Sequence, residues 1–286
     1  MACPYHTKLR FLLIIFMVVI IPGCSTLDTD LPEGEEDLSF VVFSDLQQGY
    51  GIYNMLASNI GKIEPAPVAA FCLGDIMLRP GNELEWLNFW HYSEPITEKM
   101  PVYIARGNHE GNEASDEYAL RNYGRISTNK FYYSIQYEDL LFLILDTEIR
   151  GEDGSIRGEQ LAWMQKQLDS AAGAPGIENI FIFLHRPLYP QGFHRGSNLL
   201  NADTLHEIFL LNNKVSIVFA GHDHLFNCYR KDGMHYITTG GGGGPLYHGY
   251  GGDYHHFIKM SIFRETKRIN LKSIGIFNEV VEDFDI

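Results

Sequence analysis

The chain has 286 residues, 45% of them hydrophobic, with 22 Lys and Arg against 36 Asp and Glu for a net charge of −14. That is enough apolar chain for one large core in a single domain. The charge argues against nucleic acid as the main partner, because a polyphosphate backbone is held by clustered Lys and Arg, but it leaves room for a small phosphate ester whose charge is met by bound cations.

In chain order, the first device is the N-terminus. Lys8 and Arg10 precede eleven apolar residues, 11–21, which are the basic and short apolar regions of a secretory signal. That run falls short of the ~20 residues that cross a bilayer. Ile21-Pro22-Gly23-Cys24-Ser25 resembles a bacterial-type lipobox. The expectation is a signal peptide at 1–23, a lipid on Cys24, an acid-rich tether at 24–37 and a folded domain at 38–286. Such a protein is exported and anchored to the membrane, on the outer side of the cytoplasmic membrane or in the periplasm. Of the other cysteines, Cys3 leaves with the signal, while Cys72 and Cys228 read as small buried hydrophobes rather than a bridge.

Apolar, β-branched or aromatic runs predict strands at 38–43, 68–73, 101–105, 180–184 and 215–220. A hairpin joins 132–137 to 140–146 across Glu138 and Asp139, and late strands follow at 234–238, 256–263 and 269–276. Helical spacing predicts helices at 52–62, 83–89, 114–122, 158–171 and 201–211, the fourth with Leu161, Met164 and Leu168 on one face. This is an α/β pattern. Two facing mixed sheets with helices outside would bury both faces of each sheet.

Five of these strands end in residues that carry chemistry: Ser44-Asp45-Leu46-Gln47, Gly74-Asp75, Gly107-Asn108-His109-Glu110, His185, and Gly221-His222-Asp223-His224. Open α/β sheets place their sites at the carboxyl ends of strands. Asp, Asn and His together are the ligand set of a mixed N/O divalent-metal centre. One Gly-Asp or Gly-Asn alone marks an ordinary turn; the ordered series is far more specific.

From Asp45 to His224 the series resembles the signature of the calcineurin-like metallophosphoesterases, which include the purple acid phosphatases. The resemblance implies a four-layer αββα sandwich and a hydrolase of a phosphomonoester or small phosphodiester, acting with a hydroxide that bridges two divalent metal ions, Mn, Fe or Zn. It implies Asp75 as the bridge, Asp45 and His224 on the first metal, and Asn108, His185 and His222 on the second. The chemistry is coherent. A carboxylate gives each cation an anionic oxygen, and neutral imidazoles and the Asn108 carbonyl complete the shells. Metals roughly 3.5–4 Å apart can clamp the attacking and leaving oxygens of an in-line transfer. His109 resembles the family's catalytic histidine, and Glu110 is placed to orient it from outside the ligand shell.

The chain departs from the family pattern at Gln47, where Asp-x-His is usual, and at Leu78, where purple acid phosphatases carry a tyrosine. Neither usual fourth ligand is present. Gln47 can bind through its amide oxygen or hydrogen-bond a water, so the expectation is a loosely held first metal and no purple ferric site. A non-catalytic metal-binding surface protein on the same fold is the alternative, and a membrane-anchored nuclease is disfavoured by the charge. On the substrate side, the Gly- and Pro-punctuated loop 186–196 offers His194 and Arg195 to a phosphate or leaving group, with a solvated loop as the equal alternative. Residues 240–244, all glycine, resemble a family active-site loop, with His248, His255 and His256 near its rim.

Overall fold

Alternation within single strands decides the layers. The computed structural model describes residues 34–111 and 130–286. In β1 (Leu38–Phe43), Phe40 and Val42 face one core while Val41 and Phe43 face another, the period-two pattern of a strand buried on both sides. The first sheet holds β1, β2 (Ala69–Cys72), β3 (Val102–Ile104), β10 (His256–Phe263), β11 (Arg268–Gly275) and β12 (Val280–Asp285), in the order β12-β11-β10-β1-β2-β3. The second holds β4 (Tyr133–Tyr137), β5 (Leu140–Ile144), β6 (Asn179–Phe183), β7 (Val215–Ala220), β8 (Phe226–Lys231) and β9 (Met234–Thr239), in the order β4-β5-β6-β7-β9-β8.

Both sheets are mixed. β1, β2 and β3 run parallel, as do β5, β6, β7 and β9, while the remaining neighbours are antiparallel. The two sheets face each other across an aromatic layer in which Phe71 lies 4.4 Å from Phe183 and 4.9 Å from Phe142, ring centroid to centroid. Each fully buried Phe contributes roughly 1.5–3 kcal/mol of transfer free energy, so this layer fixes the spacing of the sheets. Helices α1 (Tyr50–Ile60), α2 (Glu83–Tyr92) and α3 (Glu94–Thr97) cover the outer face of the first sheet. Helices α4 (Gly158–Ala172) and α5 (Ala202–Leu211) cover the second, with Met164, Leu168 and Phe209 buried. The result is the αββα sandwich.

Three elements escaped the sequence reading. β8 follows the last motif with the half-buried, mostly polar Phe226-Asn227-Cys228-Tyr229-Arg230-Lys231, β12 is exposed and acidic at the sheet edge, and α3 is a four-residue turn of helix. Apolar alternation is weak in all three, and their neighbours recruit them. Cys72 is buried, as expected, while Cys228 is half-buried, and no bridge joins them. The signal, Cys24 and most of the tether (1–33) and the helix expected at 114–122 lie outside the described residues. Among the described residues no helix is long and apolar enough to cross a membrane.

Candidate metal centre

The carboxyl ends of β1, β2 and β3 from one sheet meet those of β6 and β7 from the other, so the site straddles the seam between the sheets. The ligand atoms of Asp45, Asp75 and His224 lie within 4.8 Å of one another, and so do those of Asp75, His185 and His222. Asp75 is common to both groups. Asn108 Oδ1 stands 3.0 Å from His185 Nε2 and so joins the second group.

The motif glycines are there because these loops touch. A side chain at Gly221 would collide with Ser44 and Asp45, and one at Gly107 with Asp75. Four of the eight non-glycine residues with positive φ among the described ones are Asp45, Gln47, Asp75 and His222. The other four sit in loops and turns away from the centre. A left-handed backbone costs roughly 1–2 kcal/mol for such residues, and here it aims side chains inward, with the fold holding them.

Two imidazoles are oriented by backbone carbonyls. His185 donates from Nδ1 to Leu73 O at 2.8 Å, and His224 from Nδ1 to Pro245 O at 2.7 Å, leaving each Nε2 lone pair facing the centre. This is the usual second partner of a metal-binding histidine. His222 donates its backbone N–H to Asp45 Oδ2 at 2.9 Å, and its Nδ1 lies 3.2 Å from His185 Nε2. Burial, and then the neighbouring His185, push His222 down to about 2, so its imidazole is neutral. Burial alone would raise the Asp45 carboxyl, but the His224 and His185 imidazoles outweigh it and hold Asp45 at about 2. Asp75 is pushed up by burial and by the Asp45 charge, against His185 and His109.

The donor set fits two divalent cations. Asp45 Oδ1 is fully buried and makes no hydrogen bond, with only His224 Nε2 beside it at 3.4 Å, an arrangement that is costly for a carboxylate unless a cation meets it. Two buried carboxylates, one carbonyl oxygen and three imidazoles with lone pairs converging on one volume match borderline first-row ions.

Gln47 is buried, and its amide nitrogen lies 3.5 Å from His224 Nε2. It therefore occupies the edge of the first group, with an amide in place of an imidazole. His109 donates its backbone N–H to Asp75 Oδ1 at 2.9 Å and its ring Nδ1 to Leu78 O at 2.8 Å, with Nε2 3.8 Å from Asp75 Oδ2. Glu110 corrects the sequence expectation. Its carboxylate accepts from the backbone N–H groups of Asp75, Ile76, Met77 and Gly107 at 2.7–3.2 Å. It holds the loop that carries Asp75. Burial and the Asp75 charge push it up to about 7 against those donors.

His194 and Arg195 separate. The His194 ring stacks on His222 at 4.1 Å and binds Asp223 Oδ1 through Nδ1 at 2.7 Å. Asp223 is fully buried and also takes the Gly192 N–H at 2.9 Å. Arg195 is exposed in the turn that follows. His248 pairs with Asp253 at the surface, and His256 is buried against Thr239 and Tyr254; neither belongs to the centre.

Three further parts of the site come together only in the fold. Tyr247 stacks on His224 at 4.5 Å, the rings nearly parallel. Arg106 grips Asp146 and Arg186 grips Glu148, each through two nitrogens. The one usable hint was the pair of carboxylates that follows β5, Asp146 and Glu148, at a strand end like the others.

The family model described as Calcineurin-like phosphoesterase matches residues 38–226. Purple acid phosphatase 22 of Arabidopsis thaliana is 23% identical over 233 residues, 74% of this chain and 52% of that protein. This chain spans about half the length of the curated relatives it matches. Among solved structures, purple acid phosphatase PPD1 from yellow lupin (Lupinus luteus) seeds superposes with a TM-score of 0.72 at 20% identity, covering 87% of this chain and 53% of that one. GAP50, the anchor in the inner membrane complex of Plasmodium, superposes with a TM-score of 0.69 at 16% identity, covering 88% and 89%. Both likenesses speak for the fold.

Proposed function

This chain belongs to the calcineurin-like phosphoesterase family, and from that premise we propose that it is a hydrolase of a phosphomonoester or small phosphodiester that works with two divalent cations. The observation that supports this most is the pair of ligand groups sharing Asp75. Asp45, Asp75 and His224 would hold one ion, and Asp75, Asn108, His185 and His222 the other. When bound, the ions supply Lewis acidity to the phosphoryl oxygens and lower the pKa of a water.

The chain's own residues do the rest. His109, with Nδ1–H committed to Leu78 O, presents Nε2 to the site, where it can carry the proton that a leaving oxygen needs. His194, with Nδ1 committed to Asp223, presents a second imidazole at the mouth, next to His222. Asp223 and the Leu78 carbonyl fix which ring nitrogen faces the substrate in each case. The test is turnover of p-nitrophenyl phosphate by chelated protein, with and without added Mn²⁺ or Zn²⁺. Metal-restored hydrolysis supports the reading.

A second reading, a non-catalytic metal-binding protein on this fold, draws on the amide at Gln47 and on the likeness to an anchor protein. Stoichiometric metal binding without turnover across aryl, alkyl and diester substrates would favour it. We also propose that the folded unit 38–286 is tethered outside the cytoplasmic membrane through a lipid on Cys24. This rests on the sequence alone. Cys24→Ser should leave a precursor still carrying residues 1–23, and an intact mass of the membrane-extracted protein with no lipid would reject it.

A further inference from the structure

Five consecutive backbone N–H groups in the loop that leaves β2, residues 75–79, end on two buried carboxylates. Glu110 takes those of Asp75, Ile76 and Met77. Glu85 takes those of Leu78 at 2.7 Å and Arg79 at 3.2 Å. Glu85 comes from α2 and is only 2% exposed. It also accepts from Arg79 Nε at 2.8 Å, Asn82 Nδ2 at 3.0 Å and Gln48 Nε2 at 3.1 Å, the last on the loop that carries Asp45 and Gln47.

Ordinary helix capping would use this Glu differently. Asn82 caps α2, with its side chain accepting from the N–H groups of Leu84 and Glu85, and Glu85 stands three residues later, the spacing of a capping box. In that motif the Glu returns to the backbone N–H of the cap residue. Here the Asn82 N–H goes to Arg79 O at 3.2 Å, and the carboxylate reaches past the helix end to residues 78 and 79. The same helix leaves Leu84 62% and Leu87 59% exposed, so it buries a charge while two leucines stay in solvent.

The Arg79 N–H and the Leu78 carbonyl are two ends of one planar peptide. One end is held by Glu85, and the other accepts Nδ1–H of His109 at 2.8 Å. Turning that plane would move the acceptor away from the imidazole. A negative charge behind the N–H also polarises the carbonyl and strengthens its hold. We propose that Glu85 is a positioning residue for His109: through the Leu78–Arg79 peptide it fixes the Nδ1–H tautomer and aims Nε2 into the site. The catalytic half of this statement rests on the hydrolase reading above; the tautomer half does not.

The experiment has two arms on the full chain. Long-range ¹H–¹⁵N spectra of the chelated protein read the His109 tautomer directly. Wild type should show Nδ1–H, and Glu85→Gln a mixture of tautomers with unchanged sheet resonances. With metal restored, Glu85→Gln should lower kcat on an alkyl phosphate by about 10–100-fold, the usual loss for an orienting partner. KM should hold, and the loss should be smaller on p-nitrophenyl phosphate, whose leaving group needs no proton. In a His109→Ala background the same substitution should cost nothing further, because the two residues act as one unit. Glu85→Asp, a methylene short but still charged, gives the same pattern at smaller size should Glu85→Gln not fold. An unchanged tautomer in the variants, or losses that multiply in the double variant, overturns the proposal. A wild type without turnover overturns the hydrolase reading instead, and the tautomer arm then decides this one.

Discussion

The half of the centre built by Asn108, His185 and His222 and the half built by Asp45, Gln47 and His224 share Asp75 and are tied by the His222 N–H to Asp45, but they differ in donors. In the first, a carbonyl oxygen and two imidazoles accompany the shared carboxylate, and His185 is both fully buried and anchored to Leu73 O. In the second, one imidazole and one carboxylate remain, and the place of a further imidazole is taken by the Gln47 amide. Compensation is absent from the outside too, since Leu78 is a partly exposed apolar side chain on the rim. The difference teaches that the two donor sets are unequal: on the proposed two-ion reading, the Asn108 half would offer four protein donors and the Asp45 half three, with the Gln47 amide at its edge.

The largest test of this asymmetry removes what the halves share. Asp75→Asn replaces the common carboxylate with an amide, and elemental analysis should find both ions lost and hydrolysis abolished; two ions per chain with normal turnover would show that the halves do not share Asp75. His109→Ala belongs to neither half. It should keep both ions while turnover falls by about 10²–10⁴-fold, and equal losses for p-nitrophenyl and alkyl esters would remove His109 from the role of acid. His224→Ala should empty the weaker half alone, with affinity for that ion falling by at least about 100-fold; calorimetric titration should then show a single site, and loss of both would mean that the halves fold as one. The smallest effect is the gain from Gln47→His. An imidazole there should lower the metal concentration for half-maximal activity by a few-fold to roughly tenfold, worth about 1 kcal/mol, and an unchanged titration would place residue 47 outside the ligand sphere.

Much of the fold could be read because strands buried on both faces write themselves as apolar runs: 38–43, 215–220 and 256–263 coincide with β1, β7 and β10 to the residue. β8 and β12 could not, since an edge strand needs one buried face at most and theirs is paired by a neighbour rather than by its own pattern. The centre shows the same division. Asp45, Asp75, Asn108, His185, His222 and His224 stand out in the sequence because each stands just past the end of a strand, all but His185 after a glycine or a short polar turn. Glu110 was visible as a residue and misjudged in direction, since sequence adjacency to His109 says nothing about which N–H groups its carboxylate can reach. Asp223 lies inside the last motif, Glu85 at capping-box spacing from Asn82 and Tyr247 just past the run of glycines, but nothing local tells which groups their side chains meet.

The sequence by itself determined the ligand types, their order and the glycines that let strand-end loops lie against one another, because these follow from donor chemistry and from the space a Cβ needs. Only the tertiary structure decided that three ligands from one sheet face three from the other, that Glu85 and Glu110 divide five successive amides between them, and that His194 stacks on His222. The Glu110 and His194 contacts join residues about 30 positions apart, and the Glu85 contacts, six and seven positions apart, depend on how α2 folds back on the β2 loop; all of them are set by packing that the local sequence does not encode.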